Sequence, residues 1–370
     1  MPESFGNGAG DADPATGFEP YEVHLVGSYP PPYGGVSVHI ARLRDRLIAD
    51  GRRCTVWCDR DDDERKLRRL GDGQEARGNL SALPEEALLH FHTAYSLAGL
   101  LALRGRRVIA TFHNQRIAEL TRGGSTLREK VGRGLGRFSL PRIPHVIGVS
   151  DQAKRNLIAE GVKAERIDVI NAYLSPAETE RAHPDSVALV SDLKQRYPLL
   201  ATANAWAPRK IDGADLYGLD LCIGLLDRLR SSQPEMGLVL AVPQAKDNDY
   251  VHELMQRIED LDLGDRVVWL FEPGAYHPIF AQCDLFLRPT NTHGFAISVV
   301  EAFEYDLPVV ASNVVRRPEG CVLFENRDLD DFARAVSETL AARSLWSERS
   351  HNAREPDHYS EIMNVYEGVL

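Results

Sequence analysis

Short β-branched runs alternate with amphipathic helical stretches along almost the whole chain. That alternation confines it to an α/β fold built on parallel sheets covered on both faces. Strand patterns are read at 23–26 (VHLV), 54–58 (CTVWC), 88–92 (LLHFH), 107–112 (RVIATF) and 145–150 (HVIGVS). A second series follows at 199–204, 237–242, 266–271, 284–289, 308–312 and 321–324. Between them lie helices such as VSVHIARLRDRLIAD, where Val36, Ile40, Leu43 and Leu47 share one stripe. Two series imply two doubly wound, Rossmann-like domains, and 370 residues suffice for two cores.

The domain limits expected are 20–172 and 198–355, joined by a polar linker region at 173–197. A Gly-, Asp- and Pro-rich tail at 1–19 is expected to be disordered. A C-terminal helix at 356–370 is expected to pack back on the first domain. Ligands of open parallel sheets bind beyond the carboxyl ends of the strands, and two facing domains of this kind make a deep cleft.

Composition narrows the partners. A net charge of −11 argues against nucleic acid, whose phosphates call for a basic surface. No apolar run reaches the length of a membrane span, and the N-terminus has no basic-then-apolar signal pattern. Five cysteines without a CxxC motif read as reduced thiols, so the expected location is the cytoplasm.

Three constellations can carry chemistry. In GSYPPPYGGVSVH, Gly34 and Gly35 precede a helix whose N-terminal N–H groups favour an anion. A proline-stiffened loop needing a glycine turn is the equal alternative, and the stretch is not the GxGxxG fingerprint of dinucleotide enzymes. His90 and His92 share a strand face and His113 ends the next strand, which admits either a three-histidine metal site or satisfied core histidines. His113 is the better placed of the three for polar contact with a substrate. In HGFAISVVE, a helix beginning near Gly294 puts Gly294, Ser298, Glu301 and Tyr305 on one polar face. A phosphate at its tip and a ribose diol against Glu301 would make a nucleotide geometry; the alternative is that Glu301 is merely solvated.

These residues also carry a resemblance. PTNTHGFAISVVEAFEYDLPVVAS is similar to the donor-binding motif of retaining GT-B glycosyltransferases of family 4, and GGVSVH to their first glycine loop. VIGVSDQAKRNLIAEGVKAERIDVINAY resembles the segment that closes their first domain. The resemblance implies a GT-B fold, a nucleotide diphosphate-sugar as co-substrate, an acceptor hydroxyl, and no cofactor or metal. Carried over, Gly34 and Gly35 would lie near the diphosphate and His113 near the transferred sugar. The backbone of Gly294, Phe295, Ala296, Ile297 and Ser298 would meet sugar and phosphate oxygens, and Glu301 the ribose.

Two departures stand out. His293 occupies the place of the family's first glutamate, so it would position the sugar without offering a carboxylate. Asn204-Ala205 and Tyr217-Gly218 fall where the family has Gly-Arg and Lys-Gly, whose cations neutralise the diphosphate. Arg209 and Lys210 are the cations of that loop and are expected to substitute.

Finally, 122–142 carries six basic residues against Glu129, with Leu127, Val131, Leu135 and Phe138 at helical spacing. Such a helix fits an anionic membrane surface, an anionic or lipid-linked acceptor, or a solvated face. The functions that follow are a retaining glycosyltransferase of polysaccharide, glycoconjugate or natural-product biosynthesis, a GT-B-shaped binding or regulatory protein without turnover, and a three-histidine metallohydrolase.

Overall fold

The computed structural model describes residues 21–30, 34–57, 83–113, 117, 127–177, 180–206, 208–243, 245–291 and 297–370. The tail at 1–19 and the stretch at 292–296 therefore lie outside the described residues.

The first half is a sheet of β1 (Val23–Val26), β2 (Cys54–Trp57), β3 (Leu88–Phe91), β4 (Val108–Phe112), β5 (His145–Gly148) and β6 (Ile167–Val169). All pairings are parallel, in the order β2-β1-β3-β4-β5-β6. The second half holds β7 (Leu199–Asn204) and a small hairpin of β8 (Lys210–Ile211) and β9 (Ala214–Asp215). It continues with β10 (Met236–Ala241), β11 (Val267–Leu270), β12 (Leu285–Arg288), β13 (Val309–Ser312) and β14 (Cys321–Phe324). Its large sheet is parallel throughout and runs β11-β10-β7-β12-β13-β14. Strand order therefore reverses between β1 and β3 in one sheet and between β7 and β12 in the other. Those are the switch points where such folds bind ligands.

The helices are α1 (Gly35–Ala49), α2 (Tyr95–Ala102), α3 (Leu127–Ser139), α4 (Asp151–Ala159), α5 (Pro184–Arg196) and α6 (Leu219–Leu229). They continue with α7 (Asp249–Asp260), α8 (Ile297–Glu304), α9 (Leu329–Ala341), α10 (Arg343–Asn352) and α11 (Tyr359–Val369). Ile40, Leu43 and Leu47 of α1 are fully buried on the first sheet, as their stripe requires. Burying side chains of this size contributes about 1.5–3 kcal/mol each.

The region expected to be a linker is more ordered than its composition suggests. Within it α5 begins at a proline, with the His183 side chain accepting from the backbone of Asp185. Its Val190 and Leu193 are fully buried in a cluster with Leu200, Val239 and Phe286 of the second sheet. Three residues at i, i+4, i+7 (Ser186, Val190, Leu193) suffice to seat a helix whose other positions are polar.

The C-terminal helix returns to the first half. Ile362, Met363 and Tyr366 of α11 join the cluster beneath β1, and the Tyr366 hydroxyl lies 2.7 Å from His90 Nδ1. Just before it, the Asp357 carboxylate accepts from Arg46 of α1 and from the backbone of Ser175.

Arg42 of α1 ties the halves together. Its Nε and Nη2 donate to Glu180 at 2.8 and 3.0 Å, Nη1 donates to the Leu174 carbonyl, and Nη2 also donates to Glu301 of α8 at 2.5 Å. Burial alone would raise the Glu180 carboxyl, but hydrogen bonds from His277 and Arg42 with the Arg42 charge outweigh it and hold the group at about 2. Removing one member of a buried charge network strands the others at a cost of about 3–5 kcal/mol. Arg42→Met is therefore expected to lower the denaturant midpoint markedly, read by far-UV circular dichroism; an unchanged midpoint would mean the network contributes nothing to stability.

Candidate active site

Helix α1 begins at the second residue of the glycine pair. Gly34 is its N-cap, in extended conformation, and its backbone N–H donates to the Ser37 hydroxyl at 2.9 Å. A Cβ on Gly35 would lie 3.4 Å from Ile297 Cδ1, so the start of α1 sits against the start of α8 across the cleft. Gly35, His39 and Arg42 recur at i, i+4 and i+7, so one stripe of α1 faces this meeting point while the apolar stripe faces the sheet. The structure thereby brings Gly35 against Ile297 and Arg42 against Glu301. His39 and Arg42 were missed from the sequence, although their shared stripe with Gly35 was legible.

His39 meets two further histidines. The rings of His39, His92 and His113 lie 4.9–5.2 Å apart, centroid to centroid. His92 Nδ1 is 2.8 Å from His113 Nε2, and His39 Nδ1 is 2.7 Å from the Ala172 carbonyl. The Nε2 atoms of His39 and His92 are buried without a partner among the described residues. Ligand atoms of the three lie within 4.8 Å of one another, close enough for a metal ion. The trio differs from the one expected: His90 is satisfied by Tyr366 and Thr111, each at 2.7 Å, and His39 takes its place. Sequence spacing could not foresee this, because His39 reaches the strand ends only through helix packing.

Burial lowers all of these imidazoles. His39 falls to about 4, where burial and then the Arg42 charge outweigh the opposing bond to Ala172, and His90 falls to about 3. His92 and His113 fall well below the usual histidine range through burial and then their neighbours' charges. They are neutral at pH 7, able to offer or accept a hydrogen bond.

In the second half, Ser298 and Glu301 are buried at 8% and 7% exposure, which rules out the solvated alternative for Glu301. The expectation of a carboxylate free for a diol needs correcting, since Oε1 is committed to Arg42. Oε2 forms no hydrogen bond among the described residues. His293, Gly294, Phe295 and Ala296 lie outside the described residues. Lys210 pairs with Glu253 and stands 4.7 Å over the Tyr250 ring, while the Arg209 side chain is exposed. Neither forms a hydrogen bond or ion pair with α8 among the described residues. At the β7–β12 switch point stands Arg288, with Arg317 nearby, and no sequence motif marks either residue.

Between α2, α3 and the histidines lies a cavity of about 770 Å³ lined by Val36, His92, Tyr95, Leu100, His113 and Leu135. It is an apolar chamber with imidazoles among its walls. The outer face of α3 leaves Val131 64% and Phe138 49% exposed beside Lys130, Arg133 and Arg137. Among the described residues no helix is long and apolar enough to cross a membrane.

Two Rossmann-like sheets meeting across a cleft define the GT-B class of glycosyltransferase. A profile described as Glycosyltransferase Family 4 matches residues 33–172, and one described as Glycosyl transferases group 1 matches residues 215–342. The chain belongs to this family of glycosyltransferases. A search of curated proteins found no match. Among solved structures, Anabaena Alr3699/HepE in complex with UDP-glucose is similar at 18% identity and a TM-score of 0.64, covering 94% of this chain and 98% of that one. A glycosyltransferase from Rickettsia africae is 11% identical with a TM-score of 0.67, covering 95% and 99%. Sucrose-phosphate synthase from Thermosynechococcus elongatus is 16% identical with a TM-score of 0.64, covering 94% and 99%.

The depressed histidines give a pH signature. Folded values below the unfolded value of about 6.5 mean that the unfolded chain takes up protons first, so stability falls as pH drops below about 6.5. For His39 alone, a fall to about 4 corresponds to a loss of about 3 kcal/mol by pH 4. Melting temperature followed from pH 7.5 to 4.5 should decline continuously, and less steeply in His39→Gln; a flat native profile would contradict the buried neutral cluster.

Proposed function

We propose that the protein moves a sugar from a nucleoside diphosphate-sugar to an acceptor hydroxyl with retention at the anomeric carbon. The observation that carries this reading is the contact of α1 and α8, which sets Gly35, Arg42 and Glu301 around one point of the cleft. The Anabaena neighbour described with UDP-glucose supports a nucleotide sugar as the donor.

In this reading Glu301 accepts a ribose hydroxyl on Oε2, while Arg42 fixes the carboxylate through Oε1. Gly34, Gly35 and the N-terminal amides of α8 lie along the diphosphate, where bare N–H groups stabilise negative charge. His113 and His293 position the sugar. The bond from the anomeric carbon to the diphosphate oxygen breaks as the bond to the acceptor oxygen forms on the same face, and the acceptor's proton passes to the departing diphosphate. The protein then contributes orientation and charge stabilisation, with no covalent intermediate and no metal ion. The unpartnered imidazole nitrogens of His39 and His92 are suited to hydroxyls at the floor of the apolar chamber.

The chamber and the outer face of α3 together favour an acceptor with an apolar part, presented at the cytoplasmic face of a membrane. Val131 and Phe138 would enter the interface while Lys130 and Arg137 meet anionic headgroups. Val131→Asp/Phe138→Asp should abolish co-sedimentation with phosphatidylglycerol vesicles without changing the melting temperature. Equal sedimentation of native and variant chains would remove the membrane from the proposal.

A second reading, a binder without turnover, is favoured by one observation: Glu301 is already held by Arg42. Titration with UDP-, GDP- and ADP-glucose separates the two, with released glucose followed over hours. The expected outcome is that one donor binds and is slowly hydrolysed, and that Glu301→Ala weakens it at least tenfold. Saturable binding with no hydrolysis, even with acceptor mixtures, would favour the binder.

A further inference from the structure

The geometry points to Arg288, at the switch point of the second sheet, as the residue that binds the diphosphate of the donor. This rests on the reading of the cleft as a nucleotide-sugar site and replaces the cations expected at Arg209 and Lys210.

Three observations converge on it. The first is position. Arg288 ends β12 and Asn204 ends β7, the two neighbouring strands between which the sheet order reverses. The carboxyl ends of such a pair form the crevice where doubly wound sheets take their ligands.

The second is an incomplete set of partners. Nη1 donates to the carbonyl and to Oδ1 of Asn204, at 3.2 and 3.0 Å. Nε is enclosed without a partner, and Nη2 forms no hydrogen bond among the described residues. One edge of the guanidinium is thus spent on Asn204, while the other, Nε with Nη2, is the two-pronged edge that matches phosphate oxygens.

The third is charge. No carboxylate pairs with Arg288 among the described residues. The nearby acids are committed elsewhere: Asp220 to Arg327 in a two-pronged ion pair, and Asp215 to the Tyr250 hydroxyl and the backbone of Tyr217 and Asp220. Arg317, the next cation, bonds Thr290 and Ser312 and has no acidic partner among the described residues either. Burial and then the like charge of Arg317 push Arg288 down to about 10. A half-buried cation beside a buried one, with no counter-charge among the described residues, is unfavourable until an anion arrives.

The surroundings are fixed in place. The guanidinium lies 5.7 Å from the centre of the Tyr217 ring. Gly218 adopts φ +74°, and a Cβ there would fall 2.1 Å from the Pro289 carbonyl, so α6 begins hard against the end of β12. Ala205, next to Asn204, and Tyr217 are the residues that stand where the sequence resemblance anticipated cations. One arginine from the neighbouring strand occupies the space between Asn204 and Tyr217.

The test is calorimetric titration of native, Arg288→Leu, Arg288→Lys and Lys210→Ala chains with inorganic pyrophosphate, with UDP, GDP and ADP, and with the matching nucleosides. Arg288→Leu is expected to weaken pyrophosphate and the bound nucleoside diphosphate at least tenfold, with nucleoside binding unchanged and part of the loss restored in Arg288→Lys. Unchanged nucleoside binding also reports that the variant is folded. Native-like pyrophosphate binding by Arg288→Leu, or a loss carried instead by Lys210→Ala, overturns the inference and leaves the transferase reading intact. Pyrophosphate bound through Arg288 with no nucleotide bound would keep the anion site and remove the nucleotide reading. A native chain that binds neither would remove both.

Discussion

The arrangement of this molecule depends on one buried guanidinium. Arg42 leaves the first domain on α1 and finds its partners in the connecting segment (Glu180) and the second domain (Glu301). An arginine that gave up water for a single carboxylate would not recover its desolvation cost. With two carboxylates and a carbonyl, most of its donors are used, and both domains and their connection are held by one group. The same contact sets the distance between α1 and α8, and hence the width of the cleft where both helix starts lie.

The two walls of that cleft differ in charge. On the first-domain side stand neutral imidazoles, kept uncharged by burial and opening on an apolar chamber. On the second-domain side stand two arginines, one at the end of β12 and one near the end of β13, without acidic partners among the described residues. A neutral, hydrogen-bonding wall suits sugar and acceptor hydroxyls, and a cationic wall suits a diphosphate. The division of labour expected of two facing domains is thus expressed in the protonation chemistry of their side chains.

Much of the fold was legible, because parallel strands buried on both faces read as near-continuous apolar runs. β1, β3 and β4 are apolar but for His24, His90 and Thr111, and the sequence places them within a residue or two. What escaped had physical reasons. β6 is only three residues, of which Asp168 and Val169 are exposed, so no apolar run marks it. Helix α5 buries one narrow stripe beneath a polar composition, so its sequence reads as part of a linker. Within the site, helical spacing places Glu301 on the polar face of its helix, but its partner lies 259 positions earlier and no local pattern announces it. Arg288 was hidden differently. It sits in a strand read as apolar, and only the pairing of β12 with β7 reveals that its charge is delivered to Asn204.

The central claim is that a nucleoside diphosphate lies between the start of α8 and the end of β12. The most direct measurement is a crystal structure of the chain with the nucleoside diphosphate that binds it. The account predicts the diphosphate on the Nε and Nη2 edge of Arg288 and the ribose on Glu301, with Arg42 still bridging Glu180. A nucleotide whose phosphates rest on Lys210, or one bound away from α8 altogether, would contradict it.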